Sequence, residues 1–328
     1  MPDNILLERS FDAIRDCRML VYGDVMIDEF IYGSVNRISP EAPVPVLEFE
    51  SHNSMPGGAA NAARNAVALG ADCSIIGCVG DDEDGRHLNL LLEEENIDAE
   101  GLLIDVNRLT TKKTRVIANS QHVIRIDREL VIPIDPKVEK EIKKCMSAKL
   151  DSIDVVLICD YAKGSVTPDI AGWLINACRK TGTPVVVDSK SSVPAIFAGV
   201  TSVTPNMSEA RALTGLRDDN ESDLNIMGSV LLDMFKSDSV VVTRSEHGMT
   251  IFTRDNEPLH LAAYATEVHD VTGAGDTVST VLSLGLATGM PLVDAALLAN
   301  AAAAVVVRKV GTATPSREEI IELIGSNE

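Results

Sequence analysis

Two hydrophobic patterns alternate along most of the chain. Short continuous runs of aliphatic residues, such as "RMLVYG", "CSIIGCV", "VVLIC", "PVVV" and "SVVV", have the length of buried strands. Longer segments between them, among them "PKVEKEIKKCMSAKL" and "TPDIAGWLINACRKTG", carry apolar residues at helical spacing. Buried strands that alternate with amphipathic helices are typical of a parallel sheet covered on both faces. The pattern predicts an α/β fold with a mostly parallel central sheet.

Two other regions alternate apolar with polar residues. They lie at about 28–50, with "DEFIYGS" and "VPVLEFES", and at 111–127, with "TKKTRVIA" and "QHVIRID". Alternation predicts strands with one face toward water. We expect both regions to form one small sheet, inserted in two pieces into a single domain that spans 1–328.

Composition narrows the class of protein. The 328 residues are 45% hydrophobic and 24% charged, which is typical of a globular protein. The formal net charge of −20 disfavours nucleic acid and anionic membrane surfaces as partners. No run approaches the roughly 20 apolar residues of a membrane span, and the first residues lack the apolar core of a signal peptide. We therefore expect a cytoplasmic protein with reduced cysteines.

Polar side chains collect where the predicted strands end. Asp24 follows the first strand, Asp160 and Lys163 follow another, and Asp188 and Lys190 follow the next. Any one of these acids is more simply explained as a turn or helix-cap residue. Ligands of such folds bind at the carboxyl ends of the strands, however, and several clusters on one edge favour a binding site there.

The stretch "HDVTGAGDTVST", at 269–280, is the strongest candidate for chemistry. Gly273, Ala274 and Gly275 precede an apolar helical segment, so the first backbone N–H groups of a helix should lie uncovered there. The helix dipole adds about half a positive charge at this end, which suits a phosphate. Asp276 would then stand beside a transferred phosphoryl group as general base. The alternative is that Asp276 only stabilises the helix N-terminus.

A second glycine turn, "PGGAANAARNAVALG", lies at 56–70. Gly57 and Gly58 allow a backbone to approach a ligand closely, and Asn61 follows on the first turn of a predicted helix. A plain loop before a helix explains the same residues without a ligand.

"DVTGAGD" and "PGGAAN" resemble the two signature regions of the PfkB, or ribokinase-like, carbohydrate kinases, and the resemblance covers nearly the whole chain. "RISPEAPVPV" and "QHVIRID" resemble the members that phosphorylate D-glycero-β-D-manno-heptose 7-phosphate at O1, on the bacterial route to ADP-heptose and lipopolysaccharide core. The resemblance implies a ribokinase-like fold with a small β-sheet lid, and ATP and Mg²⁺ as cofactors. It leaves open a monovalent cation, K⁺, beside Asp270.

The resemblance also implies roles for single positions. Asp276 would be the catalytic base, with the backbone of Gly273, Ala274 and Gly275 as anion hole. Asn206 and Glu209 match an NxxE motif, in which Glu209 binds Mg²⁺ through water. The positions implied on the nucleotide side are Asn206, Glu209, Thr243, Ser245, Gly248 and Asn300. The candidates on the sugar side are Asp28, Arg37, Gly57, Gly58, Asn61, Arg125, Asp160, Lys163, Asp188 and Lys190.

One departure concerns "VDSK" at 187–190, where relatives commonly read DPK. Proline would restrict the backbone at that turn, so serine predicts a less rigidly held Lys190.

A phosphorylated sugar needs cations, and the lid regions supply them. They are Arg37, Lys112, Lys113, Arg115, Arg125 and Arg128. Arginine suits bidentate phosphate binding. The alternative is that these are solvated charges that protect exposed strand edges from aggregation.

The function expected from these features is an ATP-dependent sugar-phosphate kinase, with a kinase for another sugar and a non-catalytic binding protein as alternatives. The exposed lid strands favour a homodimer. Some similar kinases are fused to a cytidylyltransferase-like domain with an HxGH-type motif. No such motif follows Ala313, so we expect this chain to perform the phosphorylation only.

Overall fold

The computed structural model describes residues 4–119, 121–217, 221–264, 268–309 and 311–325. The helices in these ranges are α1 (Asn4–Arg15), α2 (Ala59–Ala68), α3 (Glu83–Glu94), α4 (Pro136–Lys149), α5 (Pro168–Thr181), α6 (Met207–Thr214), α7 (Glu221–Phe235), α8 (Ala274–Ala287), α9 (Leu292–Val306) and α10 (Arg317–Gly325). The strands are β1 (Arg18–Gly23), β2 (Val25–Ile38), β3 (Pro45–Gly58), β4 (Asp72–Val79), β5 (Asp98–Ile104), β6 (Thr111–Ala118), β7 (Gln121–Arg128), β8 (Val155–Asp160), β9 (Val185–Ser189), β10 (Ser202–Val203), β11 (Ser239–Thr243), β12 (Met249–Thr253) and β13 (Leu259–Leu261).

The larger sheet has the strand order β13-β12-β11-β10-β9-β8-β1-β4-β5. Every neighbouring pair from β11 to β5 is parallel, and β12 and β13 add an antiparallel edge. The central strands β1 and β8 are buried almost throughout, which explains their continuous apolar runs. The mostly parallel sheet expected from the sequence is confirmed.

Helices cover both faces of this sheet. One apolar core includes Phe11 of α1 and Val281 of α8, and the other includes Ile142 of α4 and Ile170 of α5. The packing of α8 on α9 depends on small residues: a Cβ added at Gly285 would lie 2.6 Å from the Cβ of Ala295. Small residues therefore let α8 and α9 pack closely at this point.

The smaller sheet has the order β3-β2-β6-β7. Strands β2 and β3 are antiparallel, as are β6 and β7, and the parallel pairing of β2 with β6 joins the two pieces. The predicted small sheet is therefore present. Its first piece occupies 25–58 rather than 28–50, because both strands continue inward to a buried end at Val25 and Gly58.

Among the described residues, no helix is both long enough and apolar enough to span a membrane.

Candidate active site

The carboxylate of Asp276 lies buried at the start of α8, with 6% of the residue exposed. Its Oδ2 accepts a hydrogen bond of 2.7 Å from Nδ2 of Asn61, and its Oδ1 accepts one from the hydroxyl of Tyr161. Burial, and then the charge of Asp188, raise the pKa of Asp276 to about 7, although both hydrogen bonds oppose this rise. A carboxylate with such a pKa is suited to take up and release a proton near neutrality.

The backbone before Asp276 exposes amide groups. Gly273 is the N-cap of α8, with φ of 82°, and no described side chain caps this helix. The Ala274 amide donates to the carbonyl of Val271, whereas the amides of Gly275 and Asp276 find no acceptor among the described residues. Uncovered amides at the positive end of a helix form an anion-binding position.

The second glycine turn lies against the first. Asn61 of α2 is completely buried, and a Cβ added at Gly273 would lie 2.8 Å from its Nδ2. Gly58 begins α2 with φ of 58°, and Gly57 touches the carboxylate of Asp28 so closely that a Cβ there would collide with it. Asp28 also pairs with Arg115. The sugar-side candidates Asp28, Gly57, Gly58 and Asn61 are therefore together.

Asn61 has one unused group. Its Oδ1 is buried and accepts no hydrogen bond from any described residue. A buried acceptor without a donor is unfavourable, so this oxygen can bind the hydroxyl group of a ligand.

The loop after β8 carries Tyr161 to Asp276. Asp24, which is 1% exposed, accepts hydrogen bonds from the amides of Tyr161 at 2.9 Å, Lys163 at 3.0 Å and Ser165 at 2.9 Å. Ala162, between them, has φ of 56°, a conformation that a non-glycine residue adopts only when its surroundings hold it. Asp24 therefore fixes the backbone that positions the Tyr161 hydroxyl.

The side chains of Asp160 and Lys163 both bind other residues of the protein. Asp160 accepts hydrogen bonds of 2.9 Å from the amide of Ala162 and from the hydroxyl of Ser189. The ammonium of Lys163 pairs with Glu129 at 2.8 Å. Both residues stabilise the loop, as the turn-residue interpretation of strand-end acids predicts.

Lys190 lies between two carboxylates. Its Nζ contacts Glu209 and lies 3.5 Å from Oδ1 of Asp188. Burial alone lowers the pKa of Lys190, but the charges of Asp188 and Glu209 outweigh it and raise the pKa. A Cβ added at Gly275 would lie 3.8 Å from Oδ2 of Asp188, so Asp188 and Lys190 border the start of α8.

Two hydrogen bonds restrain the turn at the serine of "VDSK". The hydroxyl of Ser189 binds Asp160, and the amide of Lys190 donates to the carbonyl of Asp160 at 2.7 Å. These bonds restrain the turn in place of a proline.

Asn206 and Glu209 form a capping box at the start of α6. The Glu209 amide donates to Oδ1 of Asn206 at 3.0 Å, and the Asn206 amide donates to Oε2 of Glu209 at 2.9 Å. The NxxE spacing therefore has a structural purpose, and the other oxygen of Glu209 contacts Lys190.

A cavity of about 440 Å³ opens beside the first turn of α8. Apolar groups such as Val278 and Ala303 form much of its lining, and Asn300 contributes an amide whose Nδ2 donates to the carbonyl of Ala262 at 2.7 Å. Four of the predicted nucleotide-side residues line it, Thr243, Ser245, Gly248 and Asn300, and so do Ala274 and Gly275 of the predicted anion hole. Asn206 and Glu209 do not line this cavity. An apolar slot with a few polar groups next to an anion-binding helix end has the features of a nucleotide site.

Two further sequence candidates lie on the smaller sheet, and only Arg37 lies apart from the sugar-side residues. Arg37 is exposed near the outer end of β2, about 30 Å along the strand from Asp28. Arg125 is exposed on β7, and its guanidinium donates to Asp127 at 2.8 and 3.0 Å. The sequence left open which face of the sheet Arg125 is on. In the strand register it is opposite Arg115, whose guanidinium pairs with Asp28, so Arg125 shares the face of that pair.

Tyr161 was not singled out by the sequence. It lies within the strand-end cluster of Asp160 and Lys163, and that position was the available signal. A tyrosine in a loop is common, and only the tertiary contact with Asp276 distinguishes it.

The chain matches the model of the pfkB family of carbohydrate kinases over residues 18–319. Curated relatives include the bifunctional protein HldE of Syntrophotalea carbinolica, 41% identical over 98% of this chain, and that of Geobacter sulfurreducens, 44% identical over 93%. The chain spans 65% and 62% of the lengths of these two relatives.

Solved structures show the same fold. The Arabidopsis thaliana ribokinase complexed with ribose and ATP has a TM-score of 0.74 at 18% identity, over 94% of this chain and 99% of that one. Phosphofructokinase-2 of Escherichia coli in complex with potassium has a TM-score of 0.77 at 20% identity, over 95% and 98%. The family model matches nearly the whole chain, including the residues arranged around Asp276. This protein therefore belongs to the pfkB family of carbohydrate kinases.

Proposed function

We propose that this kinase transfers the terminal phosphoryl group of ATP to O1 of D-glycero-β-D-manno-heptose 7-phosphate. The product is the 1,7-bisphosphate, on the route to ADP-heptose and lipopolysaccharide core. The observation that carries the transfer is the position of Asp276, between the sugar-side turn at Asn61 and the uncovered amides of Gly275 and Asp276.

Asp276 is the base of the proposed step. Its carboxylate takes the proton of the O1 hydroxyl while O1 forms a bond to the terminal phosphorus of ATP. The bond from that phosphorus to the bridging oxygen breaks, ADP leaves, and Asp276 releases its proton to solvent. The amides at the start of α8 stabilise the negative charge on the phosphoryl oxygens.

The nucleotide belongs in the cavity lined by Thr243, Ser245, Gly248 and Asn300. Its phosphates would extend toward Gly275 and Lys190. The use of ATP is supported by the family and by the neighbouring ribokinase structure that contains ATP. It favours the cytoplasmic location that the sequence predicts.

Magnesium fits the hard oxygen donors at this edge. Both oxygens of Glu209 are already engaged, by Lys190 and by the Asn206 amide, so Glu209 would bind the ion through water. Bound there with the ATP phosphates, Mg²⁺ would neutralise their negative charge.

A potassium ion beside Asp270 is a further part of the proposal. Asp270 is held by hydrogen bonds from Thr272 and from the Gly311 amide, which outweigh burial and lower its pKa. An ionised carboxylate is available to a cation there, and one structural neighbour was solved with potassium. Activity measured in K⁺ and in a tetraalkylammonium salt tests this part, and equal rates would contradict it.

We propose a homodimer formed through the smaller sheet. Strand β7 is exposed along its length, and Ile124 and Ile126 remain 56% and 53% exposed on its outer face. Exposed apolar residues on an unpaired edge favour an interface. Light scattering should give a dimer for the parent and a monomer for Ile126→Asp; a monomeric parent would contradict the interface.

The sugar is supported by the stretches that resemble heptose 7-phosphate kinases, and by relatives at 41–44% identity over most of the chain. The test measures ADP release with ATP and Mg²⁺ across heptose 7-phosphate, fructose, fructose 6-phosphate, ribose and adenosine. We expect turnover with heptose 7-phosphate. Preference for an unphosphorylated sugar would overturn the substrate and leave the kinase assignment intact.

A further inference from the structure

Lys113, on the smaller sheet, lies between two acids that each form an ion pair with another residue. In the strand register, Lys113 of β6 is opposite Asp28 of β2 on one side and Asp127 of β7 on the other. Cross-strand partners share a face of the sheet. Asp28, however, pairs with Arg115, and Asp127 pairs with Arg125.

The neighbouring cations have carboxylate partners of their own. Lys112 lies 2.8 Å from Glu29, Lys163 lies 2.8 Å from Glu129, and Arg128 pairs with Asp84. Lys113 forms no ion pair with a carboxylate in the described part of the chain. It differs in this respect from the cations around it.

The ammonium of Lys113 is also withdrawn from water. The residue is half-buried, and its Nζ lies 5.7 Å from the centre of the Tyr161 ring. Burial lowers the pKa of Lys113, and Lys163 and Arg125 lower it further against the opposing charges of Asp28 and Asp127. A partly desolvated cation without an anionic partner is stabilised by an anion bound beside it.

The location of Lys113 indicates which anion it would bind. The Tyr161 ring that Lys113 contacts carries the hydroxyl that donates to Asp276, so both residues border the same space. Lys113 comes from the sugar-side sheet, two residues before Arg115, which pairs with the sugar-side Asp28. The nucleotide cavity, in contrast, is lined from β11, α8 and α9.

We propose that Lys113 binds the phosphate group that the sugar already carries, and so selects sugar phosphates over free sugars. This subsite rests on the proposed function. Lysine binds a phosphate as a point charge with three donors.

The test compares Lys113→Met with Lys112→Met. Lys112 is the adjacent residue on the same strand, faces the other side of the sheet and pairs with Glu29, so its variant is a matched control for the loss of one charge. In Lys113→Met we expect the KM for heptose 7-phosphate to rise about 10- to 100-fold, with an unchanged KM for ATP. Lys113→Arg should recover most of the affinity. Thermal unfolding checks that each variant is folded.

The outcomes separate this subsite from the proposed substrate. If the parent prefers another sugar phosphate, the heptose assignment fails, and the same comparison on that sugar still tests Lys113. A rise in the KM for ATP would assign Lys113 to the nucleotide instead. Equal effects of the two methionine variants on the sugar phosphate would overturn the subsite.

Discussion

The hydroxyl of Tyr161 donates to Oδ1 of Asp276, while Asn61 donates to Oδ2 of the same carboxylate. Both oxygens of the proposed base are therefore oriented before any substrate arrives. Burial raises the pKa of Tyr161 well above its usual value, and the charge of Asp276 raises it further, so the tyrosine stays a neutral donor. Such orientation is what a general base needs in order to face one hydroxyl of a sugar.

Replacing Asp276 by asparagine removes the base and keeps the shape of the site. We expect kcat to fall by about 10²- to 10⁴-fold and ATP binding to be retained. Asp294→Asn is the matched control, because Asp294 is also an acid in the first turn of a helix. ADP release and calorimetry with ATP measure the two effects. If both variants turn over at the parent rate, Asp276 only stabilises its helix.

The pKa of Asp276 predicts a pH dependence. The base must be ionised, so kcat/KM for the sugar should rise with pH and level off above about 7. Stability changes in the opposite direction. Because the folded pKa is raised, the contribution of Asp276 to stability is fully present below its unfolded pKa, about 3.9, and is lost as pH rises through 7.

Asp276→Asn should therefore be about as stable as the parent near pH 4 and more stable by about 2–4 kcal/mol at pH 8. The amide of Asn61 can rotate so that its unused Oδ1 accepts from the new side chain. Denaturant unfolding at the two pH values measures this difference. A difference that does not change with pH would contradict the raised pKa.

Tyr161→Phe removes the hydrogen bond that stabilises ionised Asp276 and keeps the ring that contacts Lys113. We expect the acid limb of the pH–rate profile to move to higher pH, with a rate loss of about 10-fold at pH 6.5 that shrinks at pH 9. Tyr22→Phe is the control, since it removes a buried hydroxyl bonded to Ser165 in the same loop. An unshifted profile would show that Tyr161 has only a packing role.

Asp24→Asn tests the support of that loop. The carboxylate accepts three amide hydrogen bonds, and an asparagine turns a donor group toward at least one of these amides. We expect a loss of stability of about 2–4 kcal/mol and a lower kcat with little change in the KM for ATP. Calorimetric unfolding and steady-state kinetics measure both. If the folded variant has an unaltered kcat, Asp24 has no role in positioning the base Asp276.

The sequence indicated most of the fold, because continuous apolar runs and helical spacing are local features. It missed β5 and β13. Strand β5 is an edge strand with only Gly101 buried, and β13 is three residues long, so neither has the apolar run of a central strand. The predicted limits of the first piece of the smaller sheet were also too short, since β2 begins with a buried stretch that does not alternate and β3 continues through the polar residues 51–54.

The residues of the site also divide into those that the sequence indicates and those that only the tertiary structure brings together. The sequence by itself determined the glycine turn at 273–275 and Asp276, because exposed amides at a helix start follow from neighbouring residues. Asn61 and Tyr161 lie 215 and 115 positions from Asp276, and only the strand order brings them to its two oxygens. The tertiary structure also decided which cations are neutralised. Ion pairs depend on which side chains meet in the folded sheet. Arg125 pairs with Asp127, whereas Lys113 lies over the ring of Tyr161 and pairs with no carboxylate among the described residues.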